Sequence, residues 1–533
     1  MKKLYKIISM ALLFGLAACT DLDVKPKSSA SADVVFTDPA AYKQFLAKVY
    51  AGLAIGGQGS GDDNTDISGI NGGFSQYIRQ YYNAQELPTD EAVIGWNDGT
   101  IQTYHFHTWT SQSEFLNAMF NRIYFQISMA NEFLRQTTDE LVSSRGATDE
   151  LKAEIKKYRA EVRFLRALSY WHGLDMFGSV PIVPETTPIG TDAPGQPEGG
   201  KQDVFNLIES ELIDINDDLS DPKTVEYPRV DKAAAWMLLA KLYLNAEVYL
   251  GSGTVKYTES LTYLNKILQV SSYNLEPVYQ NLFKADNHRS QEIIFAVAFD
   301  GTHTQTYGGT TFLCHAAIGG NMSANDYGVS SGWAGLRTTS NIVDLFPVSG
   351  DNRSMFYTNG QSKDIINTPN TSFNEGYAIP KFQNVTSEGA PGSNSNFADT
   401  DFPVFRLADT YLMYAEAVLR GGAGGDAATA LSYVNELRAR AYGNASGNIT
   451  APQLDLDFII DERGRELYWE CHRRTDLVRF DLFTTSPTDD VRAVWPWKGN
   501  EVAGKQTETF RNVFPIPSAA LIANTKLKQN EGY

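Results

Sequence analysis

Several stretches of the chain hold residues in spacings that could do chemistry. Gly328-Val329-Ser330-Ser331-Gly332 fits the G-x-S-x-G pattern of a serine nucleophile elbow, a turn that needs an apolar strand before it. The residues before it, NMSANDY, form a polar stretch, so the match reads as Gly/Ser loop composition. GNEVAGKQ, Gly499 to Gln506, approaches a phosphate-binding loop, but Gln506 stands where a hydroxyl would hold magnesium and no strand precedes it. Gly422-Ala423-Gly424-Gly425-Asp426-Ala427 imitates a dinucleotide fingerprint but joins two predicted helices, where glycine ends a helix. His105 and His107 in TYHFHTW alternate as if on one face of a strand and have no third ligand nearby, so hydrogen bonding is expected of them rather than metal binding. Asp62, Asn64 and Asp66 have the first three spacings of a calcium loop, with Ile67 in the required Gly position and Gly73 in place of the closing Glu. Calcium has no support beyond that spacing, and no cofactor is expected. In DERGRELYWECHRRTDLVRF the acids Asp461, Glu462, Glu466, Glu470 and Asp476 alternate with Arg463, Arg465, Arg473, Arg474 and Arg479, which reads as one helix laced with ion pairs. No nucleophile, metal set or carboxylate pair has its required context, so no catalytic residue is assigned.

The other recurring chemistry is aromatic. Phe, Tyr and Trp make up 12% of the chain, and many stand in Gly/Asn/Ser/Asp-rich segments instead of periodic apolar ones. Trp96 lies between Gly95 and Asn97-Asp98-Gly99, a turn-forming setting that is expected to push the indole outward. Tyr307 in TQTYGGTTF and Trp333 in VSSGWAGL share that Gly-flanked setting. Sugars offer C–H faces for stacking and hydroxyls for Asn, Asp and Arg, so ring, amide and acid in one loop suit a glycan. The competing reading is that each ring caps a satellite hydrophobic cluster.

Such loops need a frame. Apolar residues at three and four spacing predict helices over Pro39 to Leu53, Glu114 to Leu134, Leu151 to Met176, Val204 to Leu219, Asp231 to Leu250, Thr258 to Leu268, Leu407 to Leu419 and Ala427 to Tyr442. YPRVDKAAAWMLLAKLYLNAEVY, a Gly-containing turn, YTESLTYLNKIL and then Pro277 resemble the helical hairpin of tetratricopeptide repeats, without a clean repeat period. QEIIFAVAFD, Gln291 to Asp300, predicts a strand. Gly56 to Gly73 and Thr302 to Pro403 far exceed the usual connection of about 4 to 6 residues. The expected fold is mainly α: tetratricopeptide-like hairpins, mainly over 39–53, 114–270 and 407–480, packed against a ligand-binding region with minor β, mainly over 56–110 and 302–403.

The N-terminus has export-signal order: Lys2, Lys3 and Lys6, an apolar run, then Leu16-Ala17-Ala18-Cys19. That ending matches a lipobox, so residues 1–18 read as a lipoprotein signal peptide, Cys19 as the lipidated residue and 19–533 as the body. No other window offers the ~20 apolar residues of a spanning helix, so attachment to a membrane is expected through the lipid. A net charge of −18 argues against nucleic acid as a partner. Cys314 and Cys471 lie far apart, which excludes a disulfide framework.

Six blocks in order resemble the SusD/RagB family of Bacteroidetes outer-membrane nutrient-binding lipoproteins: AEVRFLRALSYWHGLDMFGSVPIV, YPRVDKAAAWMLLAKLYLNA, PVFRLADTYLMYAEAVLR, NELRARA, DERGRELYWECHRRTDLVRF and FPIPSAALIANTKLKQNEGY. The resemblance implies a non-enzymatic cell-surface binder that acts as a lid on a TonB-dependent outer-membrane transporter and passes it oligosaccharides. The acidic CTDLD is similar to the surface-export signals of these lipoproteins. ELPTDE and the residues after it look closest to the starch-binding branch, which favours an α-glucan ligand. By that resemblance the aromatic arc falls on Trp96, Tyr307 and Trp333, with an arginine at Arg79. The branch's polar asparagine falls on Gly99, so its role passes to Asn97 or Asp98, and a second tryptophan of the branch is Ile94 here. A secreted carbohydrate-active hydrolase and a structural helical-repeat adaptor are the alternatives.

Overall fold

Apolar spacing becomes helix wherever one face of a segment is buried and the other is wet. In the computed structural model, which describes residues 32–533 apart from 60, 62, 63 and 189, the predicted stretches form helices. They run Ala40–Ala54, Glu114–Gln136, Asp149–Phe177, Lys201–Asp214, Lys232–Leu244, Tyr257–Leu268, Leu407–Leu419 and Ala427–Tyr442. The leader, Cys19 and Asp62 lie outside the described residues. Ser113, Thr148, Asp231 and Asp426 accept hydrogen bonds from backbone N–H groups of the first turns, which fixes four of the helix starts. The segment expected as one helix over Asp231 to Leu250 breaks at Asn245, and a short helix Ala246–Leu250 follows.

Consecutive helices pack as hairpins: Glu114–Gln136 on Asp149–Phe177, Lys232–Leu244 on Tyr257–Leu268, and Leu407–Leu419 on Ala427–Tyr442. The buried Ala233, Ala234, Ala235 and Ala240 keep the second pair close, and Ser260 donates across it to the Ala240 carbonyl at 3.0 Å. The β structure is minor, as expected. Ile293–Val297 pairs antiparallel with Phe402–Arg406, and every residue of both strands is buried. The second ladder, Val93–Ile94 with Leu336–Arg337, is two residues long.

Two local expectations are corrected. His105 and His107 do not alternate along a strand: His105 lies in the short helix Thr103–Phe106 and His107 is its left-handed cap, with φ 52°. His107 hydrogen-bonds to Thr507 at 3.0 Å and the Pro88 carbonyl at 2.7 Å, while neither ring nitrogen of the buried His105 has a hydrogen-bond partner. DERGRELYWECHRRTDLVRF is two helices, Leu456–Leu467 and Arg473–Arg479, broken where Trp469 and Cys471 take positive φ of 61° and 66°. Its charges are interior. Glu462, Glu466 and Glu470 receive Arg353, Arg406, Arg440 and Lys381 from other segments, and Arg463 and Arg479 bind Asp409, Asp476 and Glu416. Helical spacing therefore brought the acids to a seam where distant segments converge, not to a solvated face. Such a network holds strands and helices in one register, because a buried charge that loses its partner is costly.

Candidate functional site

The two-residue ladder decides where the rings meet. Val93 pairs with Arg337 and Ile94 with Leu336, and Gly95 N–H continues the pattern to the Gly335 carbonyl at 2.8 Å. Trp96 and Trp333 follow as the two chains part. The Trp96 indole N–H donates to the Trp333 carbonyl at 3.1 Å, and the ring centroids lie 6.3 Å apart at 47°. Gly335 is needed for this approach, since a Cβ there would stand 2.5 Å from the Trp96 ring. The indole is therefore half-buried, packed edge-on against Phe312 at 5.8 Å, rather than fully turned to solvent.

Tyr307 arrives from another loop, held by the Gly61–Thr306 bridge, and is 36% exposed. Its ring lies 6.0 Å from Trp333 at 71° and 5.4 Å from Phe397. Trp333 is stacked on His315 at 4.5 Å and 21°, and His315 Nδ1 is fixed by the Ser331 carbonyl at 2.7 Å. Successive ring planes thus turn instead of forming a flat plate.

Arg79 lies beneath the rings on the helix Tyr77–Gln85 and is 3% exposed. Its Nη1 donates to the Gly73 carbonyl at 2.6 Å and the Tyr307 carbonyl at 2.9 Å, which ties two loops together. The guanidinium sits over Phe74 at 4.2 Å, Phe312 at 4.4 Å and Trp96 at 5.6 Å. Among the described residues no carboxylate forms an ion pair with it; burial draws it down to about 9, opposed by the more distant Asp98, so it is charged at neutral pH. Its Nε is buried without a hydrogen-bond partner.

These side chains surround one cavity of about 490 Å³, lined by Asn71, Phe74, Arg79, Trp96, Asp98, Tyr307 and Trp333, with Gly73 in its wall. Asp98 and Asn97 part company here. Asp98 lines the cavity, whereas the Asn97 amide oxygen accepts from Gln102 and from Asn370, both at 2.7 Å. Gly99 takes φ 44° with the Glu114 carboxylate against it, so a side chain at that position would be strained and would displace Glu114. Sequence reasoning missed Asn71, Phe74, Phe312 and His315. Asn71 and Phe74 fall in or beside the Gly-rich segment already singled out as a loop, a signal that could have found them. Asp66 of the calcium-like spacing lies 3.7 Å from both Arg122 and Lys48. Among the described residues no cluster of three His, Cys, Asp or Glu could hold a metal, and no helix is long and apolar enough to cross a membrane. The arrangement can stack a flat apolar face on its rings and bond polar groups at Arg79 and Asp98; it brings together no nucleophile and base.

Comparison with known proteins finds relatives over the whole chain. A family model described as the SusD family matches residues 349–533, and one described as starch-binding associating with outer membrane matches residues 22–244. The starch-binding protein SusD of Bacteroides thetaiotaomicron is 34% identical over all of this chain and 99% of its own length. A SusD-like protein of Bacteroides ovatus is 26% identical over 72% of this chain and 68% of its own. Among solved structures, surface glycan-binding protein A from Bacteroides fluxus superposes with a TM-score of 0.69 at 19% identity, over 93% of this chain and 99% of that one. A laminarin-binding SusD-like protein superposes with a TM-score of 0.68 at 23% identity, over the same shares.

Proposed function

The chain belongs to the SusD family, and from that premise we propose that it is a cell-surface glycan-binding lipoprotein, not an enzyme. It captures oligosaccharides on the Trp96, Trp333 and Tyr307 arc and delivers them to a TonB-dependent outer-membrane transporter. The observation that carries this reading is the convergence on one open cavity of three rings and a buried arginine that has no ion pair among the described residues. Sugar rings stack on the aromatic faces, while hydroxyls accept from Arg79 and donate to Asp98. Arg79 needs no rearrangement to do so, because its other bonds already fix it.

The turning ring planes favour a glycan that curves, and an α-glucan is the class that the relative named for starch binding supports. Lipidation at Cys19 supplies the anchor, with Asp21 and Asp23 as the export signal behind it. The delivery step rests on the family resemblance and on the description of the matched model, starch-binding associating with outer membrane. Calorimetric titration against starch oligosaccharides, laminarin oligosaccharides and fructans, with chromatography of the same mixtures, tests the reading. Binding of one class without turnover is expected; turnover that disappears when a single acid is replaced would overturn it.

A further inference from the structure

A second exposed aromatic ridge lies elsewhere on the molecule. Two grooves of about 330 and 480 Å³ share Tyr227, Pro228 and His288, which stand between them. Tyr227 is 40% exposed and its ring lies 6.3 Å from that of His288, itself exposed. A surface tyrosine ordinarily samples several rotamers. This one is tethered: its hydroxyl donates to Asp401 Oδ2 at 2.5 Å, and Asp401 Oδ1 accepts from Phe299 N–H at 2.8 Å. Asn287 clamps the backbone of Asp401 from both sides, donating to its carbonyl at 2.9 Å and accepting from its N–H at 3.1 Å. Asp401 leads into the buried strand Phe402–Arg406, so the ring is held by the sheet while it stays open to solvent. A rigid exposed ring has little rotamer freedom left to lose when something stacks on it.

The groove walls set the class of ligand. Ser290 and Gln291 line one groove, Thr302 and Ser393 the other, a set of neutral donors and acceptors on both sides of the ridge. Charges of both signs stand on the walls, each with a partner: Arg229 binds Glu161, Lys223 donates to the Ile293 carbonyl at 2.6 Å, Arg289 lies 3.7 Å from Asp286, Asp231 accepts from Ala233 N–H, Asp300 accepts from Thr302 and His303, and Asp399 from Gly301 and Ser393. A neutral polyhydroxylated chain meets partners on both sides, whereas an anionic chain would be opposed by Asp300 and Asp399 in one groove and a cationic chain by Lys223, Arg229 and Arg289 in the other. The second of these grooves is also tied to the Trp96 cavity. The segment carrying Asp300 and Thr302 goes on to Tyr307, and the segment carrying Ser393 and Asp399 contains Phe397, the ring against Tyr307.

We propose that the Tyr227 and His288 ridge, with the grooves on its two sides, is a second site for a neutral glycan, engaged by chains long enough to reach both it and the Trp96 cavity. This rests on the reading of the Trp96 cavity as a glycan site. Two tethered contacts raise affinity for a polymer without changing affinity for a short oligomer.

The test compares the purified full chain with Tyr227→Ala, His288→Ala and Trp96→Ala, using maltotriose and laminaritriose as short probes and soluble starch and laminarin as polymers. Tyr227→Ala and His288→Ala should bind the trisaccharide as wild type does and the matching polymer about 5-fold or more weakly. His288→Ala removes an exposed ring and guards against a folding artefact at Tyr227. Equal polymer binding by wild type and both variants overturns the second site and leaves the Trp96 reading intact. A wild-type protein that binds none of the four probes, nor a fructan oligomer or polymer added to the panel, overturns both.

Discussion

Where the strand Phe402–Arg406 meets the helical scaffold, Arg406 is 1% exposed and spends every N–H: Nε on Glu470 at 2.6 Å, Nη1 on Glu292 at 2.8 Å and Glu466 at 2.7 Å, and Nη2 on the Glu466 carbonyl at 2.7 Å and Glu470 at 2.8 Å. In the cavity Arg79 is 3% exposed and donates from Nη1 to two carbonyls, with aromatic faces where the scaffold has carboxylates. The same side chain thus closes one region and leaves the other open. A saturated guanidinium serves architecture, because nothing is left to recognise a newcomer. An unsaturated one beside a cavity keeps both charge and donors for a ligand, which the fold tolerates because the rings cover its faces.

Breaking the closed region should have the largest effect. Arg406→Ala takes five hydrogen bonds from the interior and leaves Glu292, Glu466 and Glu470 with only Arg440, Arg353 and Lys381 to balance them, which should cost about 3–5 kcal/mol, read as a lowered denaturant midpoint or failure to fold. Acid should attack the same region. Burial alone would raise Glu416 and Glu462, but Arg479 and Arg420 beside the first, and Arg353, Arg465 and Arg438 beside the second, hold both down at about 2. Their folded-state values lie below the ordinary 4.5, so their contribution is present above 4.5 and lost as pH falls from there toward 2. Glu91 works in the opposite sense: burial raises it to about 7 against the pull of Arg473, so its contribution is present below 4.5 and lost as pH rises to 7. Denaturant melts across pH should show the steeper fall on the acid side.

Effects on the open region should be smaller and should appear in binding. Arg79→Met removes charged donors while filling similar volume, and glycan affinity should fall by about 1.5–3 kcal/mol in a calorimetric titration. Arg79→Lys should not restore it, since one ammonium cannot hold two carbonyls and reach the cavity with a planar fork. Trp96→Ala should cost about 1–3 kcal/mol of binding, roughly 5-fold to over 100-fold, with a thermal melt showing a retained fold. If Trp96 were instead a cap on the Phe312 cluster, the melt would drop and residual affinity would follow the folded fraction. EDTA should leave affinity unchanged, because stacking and hydrogen bonds complete the site; a loss restored by calcium would return attention to Asp66.

The two regions were unequally legible in the sequence. Scaffold helices such as Tyr257–Leu268, with Tyr257, Ser260, Leu261, Leu264 and Ile267 buried, cover one face and wet the other, so apolar spacing announces them. The helices that build the cavity, Tyr77–Gln85 and Gly309–Ala316, are buried at every residue: Arg79, Gln80 and Asn83 stand inside where a wet face would be, so polarity does not mark the solvent side. That is why Phe312 and His315 escaped notice, while Trp96, Tyr307 and Trp333 stood out through their glycine neighbours. Resemblance to the family, not periodicity, pointed to Arg79. The ion network was half legible: the acids and arginines of Asp461 to Arg479 were visible, but their partners Arg353, Arg406 and Arg440 come from distant segments that no local pattern connects.

The most direct test of the central claim is a crystal structure of the protein with maltoheptaose, or with whichever oligosaccharide the titrations select. The oligosaccharide should curve over Trp96, Trp333 and Tyr307, with a hydroxyl accepting from Arg79. A glycan bound elsewhere, with that cavity left free of sugar, would contradict it.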